Sequence, residues 1–106
     1  MAEIIWTRRA NHERIAPLSY VEKTFGIRTA ERIYERTNSF IHALTAHPFL
    51  GSPEPLLENR RTEYRSLVIH KHTKLIYRIQ ADKIFIVDLW DTRREPSHLI
   101  RRIRGK

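Results

Sequence analysis

Between Thr62 and Asp91 the chain runs through three strand-like segments with almost nothing between them. Thr62–His70, Thr73–Ala81 and Lys83–Asp91 are separated only by turns at Lys71-His72 and Ala81-Asp82. A parallel crossover needs a dozen or more residues, so connections this short force neighbouring strands to run antiparallel. A three-stranded meander is therefore the expected centre of the fold. Strand alternation then sorts the side chains. Leu67, Ile69, Leu75, Tyr77, Ile79, Phe85, Val87 and Leu89 share one parity, expected to face helices. Tyr64, Ser66, Val68, His70, Lys74, Ile76, Arg78, Asp88 and Trp90 share the other, expected to be solvated or used. A slip of one residue in register would exchange the two faces.

The flanks supply the remaining elements. Glu3–Trp6 reads as a short opening strand. Thr7 is placed to cap a helix running towards Phe25, with Ile15, Leu18, Val21 and Phe25 at helical spacing, a break at Pro17 and a stop at Gly26. A second helix is expected from a cap at Thr29, carrying Ala30, Ile33, Thr37, Phe40, Ile41 and Leu44 on one face and ending at His47-Pro48. Three prolines and Gly51 make 48–59 a loop, and Ser97–Arg104 after Pro96 a short basic helix. The order βααβββα implies one α+β domain over residues 1–106, a curved antiparallel sheet with an N-terminal helical hairpin packed on one face.

At 106 residues, with 41% hydrophobic residues and few Gly or Pro, the chain has material for one core. With no Cys it has no disulfide, no Cys-based zinc site and no thiol nucleophile. No apolar run approaches the ~20 residues of a membrane span, so a soluble, cytoplasmic protein is the expectation. The net charge of +8 is unevenly placed. Residues 1–58 are neutral, whereas residues 59–106 hold thirteen Lys/Arg against five Asp/Glu. A basic sheet of this kind suits an anionic partner, either a phosphate backbone or an acidic protein.

Several segments in this order resemble the RelE/ParE superfamily of bacterial type II toxins. They are Tyr64-Arg65-Ser66-Leu67, Leu75-Ile76-Tyr77-Arg78-Ile79, Ile84-Phe85-Ile86-Val87 and Asp91-Thr92-Arg93-Arg94-Glu95-Pro96, preceded by Phe25-Gly26, Ala30 and the loop Pro48-Phe49-Leu50-Gly51. The resemblance implies a toxin neutralised by a cognate antitoxin. RelE-like members cleave mRNA in the ribosomal A site; ParE-like members inhibit DNA gyrase.

Cleavage of the RelE kind has an RNA 2′-hydroxyl attack the adjacent phosphate, which requires charge stabilisation and proton transfer. The resemblance places Lys74, where RelE-like toxins carry an Arg, and Arg93 or Arg94 in that role. A point ammonium cannot grip two phosphate oxygens as a guanidinium does. The C-terminal Tyr of such toxins is missing, and Leu99 and Ile100 stand nearby with His98 as the titratable neighbour. That departure moves weight towards gyrase inhibition or an attenuated nuclease.

His70 and His98 are candidate acid/base groups, against the plainer reading of an exposed turn and a helix start. His70-x-His72 has spacing for a metal but no third ligand, and no metal or cofactor is called for. Arg78, Arg101, Arg102 and Arg104 are candidate phosphate contacts, against a simple solvated basic end. Trp90, with Tyr64 and Ile76 on the same face, is the candidate antitoxin surface. Arg65 fits a structural ion pair, with Asp88 and Asp91 as carboxylates that orient arginines. The leading expectation is a ribosome-dependent endoribonuclease acting on mRNA. The alternatives are a non-catalytic gyrase inhibitor and a toxin-fold module without toxicity.

Overall fold

The computed structural model describes residues 2–13, 23 and 26–103. Its elements are β1 (Glu3–Trp6), α1 (Arg8–Glu13), α2 (Ile27–Ala46), β2 (Ser52–Pro53), a 3-10 turn (Pro55–Leu57), β3 (Tyr64–His70), β4 (Thr73–Gln80), β5 (Lys83–Asp91) and α3 (Pro96–Arg102). The expected first helix beyond Glu13, with Ile15, Pro17, Leu18, Val21 and Phe25, lies outside the described residues, as does Arg104.

The five strands form one sheet in the order β1-β5-β4-β3-β2. β3, β4 and β5 make the antiparallel meander that the two-residue turns require. β1 adds in parallel to the outer side of β5, pairing Glu3 with Lys83 through Trp6 with Ile86. β2 adds antiparallel to β3 at Ser66 and Arg65 only. Position 81 turns the chain from β4 into β5 with Ala81 at φ 56°.

The caps behave differently from one another. Thr7 caps α1 as expected, its Oγ1 accepting from the Ala10 N–H at 3.3 Å. Thr29 does not cap α2. That helix starts two residues earlier at Ile27, after Gly26, whose φ of 96° is open to glycine at little cost. Its inward face carries the expected stripe: Ala30, Ile33, Thr37 and Leu44 are buried, and Phe40 and Ile41 pack against the core. The Thr37 hydroxyl donates to the Ile33 carbonyl at 2.8 Å, so a polar side chain is tolerated there.

A bulge in β5 corrects the expected faces. Ile76 pairs with Asp88 and Tyr77 with Ile86, which leaves Val87 as an extra residue. An inserted residue reverses the alternation on either side of it. Ile84, Ile86 and Leu89 therefore join Ile69, Leu75 and Tyr77 under α2, together with Ala10 of α1. Phe85 and Val87 move to the opposite face with Tyr64, Ile76 and Trp90.

That opposite face is not open. Leu57 of the 3-10 turn and Leu99 and Ile103 at the C-terminal end close over it as a second apolar cluster. Covered on both sides, β5 is buried at six of its nine positions. Arg60 fastens this lid by donating to the carbonyls of Ile103 and, at 2.7 Å, Ile100. No helix among the described residues is long and apolar enough to cross a membrane.

Candidate functional site

The basic surface is built on β4, β5 and α3, and most of its cations are already committed to carboxylates or rings. Lys74 stands on β4 opposite Trp90 of β5. Its ammonium does not project into solvent: it donates to Glu54, a carboxylate with 0% exposure that also accepts the Leu56 N–H at 2.8 Å. Glu54 thus starts the 3-10 turn and neutralises Lys74 together. Strand parity alone places Lys74 facing solvent; instead Glu54 folds back over the strand and engages its ammonium.

Asp91, at the end of β5, holds Arg93 through both carboxylate oxygens, with Nη2 at 2.9 Å and Nε at 3.1 Å, and accepts the Arg93 N–H at 2.9 Å. These bonds hold the Asp91 carboxyl below the usual carboxylate range, against a smaller opposing effect of burial. A depressed folded-state pKa contributes stability above the ordinary carboxylate value and loses it as pH falls through the lowered one. The Asp91 carboxyl is therefore expected to titrate in NMR below ~3.9, the unperturbed value, and to rise towards it in Arg93→Ala. An unchanged midpoint in that variant would show that the Arg93 contact is not what lowers it.

Asp88 and Arg102 form a second pair at 3.3 Å, Asp88 fully buried and the Arg102 side chain 11% exposed. Arg102 also lies 5.6 Å from the Trp90 ring. The basic end is thus not simply solvated at Arg102: its side chain lies inward beside the second apolar cluster, where its charge is met by Asp88. Arg78 stacks over Phe85 at 4.0 Å and donates to Gln80 at 2.7 Å. Arg94 is exposed and lies 4.9 Å from the Trp90 ring. Arg101 and His98 are exposed on α3. Arg65 forms its structural ion pair with Glu63 at 3.0 Å, rather than with Asp88 or Asp91.

His70 and His72 sit at the β3–β4 turn near the end of β5, where the His72 carbonyl accepts the Thr92 N–H at 2.8 Å. No group of three or more metal-ligating side chains occurs among the described residues.

Trp90, Tyr64 and Ile76 are 1%, 4% and 0% exposed. They are the interior of the second cluster, not a surface, so the expectation of an exposed antitoxin face at these residues is corrected by the lid that α3 places over them. Leu99 and Ile103 carry the signal that could have found this, since an apolar stripe on the last helix needs a face to bury it.

The arrangement is a five-stranded mixed sheet with α2 on one face, a C-terminal helix on the other and a rim of arginines. The family description for the ParE toxin of the parDE type II toxin–antitoxin system matches residues 4–96. The chain belongs to the ParE toxin family. It is thus the toxin of a type II system, and membership implies a cognate antitoxin. Similar solved structures include a chromosomal ParDE TA system from P. aeruginosa, at TM-score 0.68 and 17% identity over 86% of this chain and 96% of that one. A YoeB dimer from Staphylococcus aureus follows at 0.58 and 19%, over 83% and 93%. A YoeB/ParE toxin from Agrobacterium tumefaciens gives 0.57 and 22%, over 84% and 96%. At these identities the likeness is one of fold. No curated protein matches the ParE-family chain by sequence.

Proposed function

We propose that this ParE-family toxin acts by binding and inhibiting DNA gyrase, without catalysis of its own. The observation that carries the reading is the commitment of Lys74 to the buried Glu54. A ribonuclease of the RelE kind needs that position to meet a scissile phosphate, together with an acid and a base that reach the same group. Of the other two expected cations, Arg93 is held by Asp91 and Arg94 lies against the Trp90 ring. The match to a ParE description supports the same target class.

The surface left to a partner is a binding surface: Arg94 braced on Trp90, with His98 and Arg101 exposed on the adjoining helix. Exposed charges of this sort direct encounter and register more than they supply affinity. The purified chain is expected to inhibit supercoiling by gyrase while leaving mRNA on translating ribosomes intact. Ribosome-dependent mRNA cuts from the same preparation, with supercoiling unaffected, would overturn the reading.

A further inference from the structure

Phe49 is 66% exposed, the largest value for a bulky apolar side chain among the described residues, and its neighbour Leu50 is 45% exposed. Both line an open depression with Ala46, His47 and Pro48. The backbone that displays them is held from below. The Tyr77 hydroxyl, in the main core, donates to the Pro48 carbonyl at 2.8 Å and accepts the Gly51 N–H at 2.9 Å. The Leu50 N–H donates to the His47 carbonyl at 3.0 Å. Arg65 donates to the Gly51 carbonyl and lies 4.8 Å from the Phe49 ring. Gly51 is packed so closely that a Cβ there would stand 2.7 Å from the Ser66 carbonyl oxygen. Two apolar side chains are thus presented to solvent on a fixed backbone, the condition under which binding loses least conformational entropy.

The loop borders a free strand edge. β2 pairs with β3 only at Ser66 and Arg65, so among the described residues no strand lies along Val68–His70 on the side of β3 away from β4. Val68 is 63% exposed and shares a face with Tyr64 and Ser66, whereas Phe49 lies over Arg65, whose parity is the opposite one. The edge therefore offers an apolar contact on each side of the sheet. A segment added there in extended form would meet both with alternate side chains.

Charge selects the occupant. The edge continues into Lys71 and is flanked by Arg65, His47 and His70, in a chain of net charge +8. The nearby carboxylates Glu54 and Glu63 are engaged by Lys74 and Arg65. We propose that the Pro48–Gly51 loop and the Val68–His70 edge form the docking site for an extended, acidic segment of the cognate antitoxin, with Phe49 and Val68 as its apolar anchors. The proposal rests on membership in the toxin family and is independent of whether the target is gyrase.

The test uses the full chain and, as probe, the purified cognate antitoxin that membership in the family implies. Phe49→Asp and Val68→Asp, both exposed and expected to fold, should each weaken the complex by about tenfold or more. Growth arrest by the free variants should persist and escape antitoxin rescue, and backbone amides 68–70 should exchange more slowly in the wild-type complex. Affinities of both variants within about twofold of wild type, or unchanged exchange at 68–70, would overturn the proposal. So would loss of toxicity with antitoxin binding intact, which would turn this edge towards the target. A variant that only separates a dimer of the free chain would assign the edge to a second copy and overturn it equally.

Discussion

Truncating Lys74 to alanine is expected to destabilise the fold by about 3–5 kcal/mol, the usual cost of breaking a buried ion pair from one side. The magnitude follows from what is left behind. Glu54 is fully buried, and without the ammonium its carboxylate loses its charge partner and keeps the Leu56 N–H. Glu54→Ala removes that 3-10 cap as well and strands Lys74, whose side chain is 18% exposed, so its cost should be of similar size. Urea unfolding monitored by circular dichroism measures both. A loss of under about 1 kcal/mol for Lys74→Ala would match a surface pair and would return Lys74 to the solvent-facing role expected from strand parity.

The second large effect is expected at Trp90. Its replacement by alanine should cost about 3–5 kcal/mol, because a buried aromatic leaves a cavity as well as lost transfer energy. Trp90 is 1% exposed among Leu57, Tyr64, Ile76, Val87, Leu99 and Ile103, and it backs the guanidinium groups of Arg94 and Arg102. The cavity would open beneath α3, which the Arg60 bonds and the Asp88–Arg102 pair also help to hold. Trp90→Phe keeps a ring in the same place and should cost less. Thermal unfolding separates the cases. If Trp90→Ala melts like wild type yet binds its antitoxin weakly, Trp90 is a surface anchor and the packing described above is wrong.

Much of the fold was legible in the sequence because its signals were local. Two-residue turns dictate antiparallel neighbours, and the stripe from Ala30 to Leu44 dictates the buried face of α2. The missed features are those that local pattern does not encode. The parallel pairing of β1 with β5 could not be read from four residues that name no partner. The bulge at Val87 was hidden because Ile84-Phe85-Ile86-Val87 is apolar at both parities, so either face assignment satisfied the alternation. Thr29 looked like a cap, yet Gly26 with its positive φ lets the helix begin earlier.

The site was harder to read than the scaffold. Glu54 gave no signal, lying between two prolines in a segment that reads as a loop, and only the tertiary fold brings it onto Lys74. The idea that carboxylates in this basic half orient arginines does describe Asp91 with Arg93 and Asp88 with Arg102. Charge counting located the basic half correctly but could not distinguish free cations from paired ones. Several residues first expected on the working surface instead hold the molecule together.

Removing the charge of the Lys74–Glu54 pair from both sides separates a structural Lys74 in a toxin that acts by binding from a Lys74 that takes part in chemistry. Lys74→Met with Glu54→Gln keeps side-chain volume and an acceptor for the Leu56 N–H, and isosteric replacement of a whole buried pair is often close to neutral. The measurement is growth arrest on induction of this double variant, alongside its melting temperature. The expected result is a folded protein that arrests growth as wild type does. A folded double variant without toxicity would contradict it and would make the Lys74 ammonium part of the toxin's chemistry.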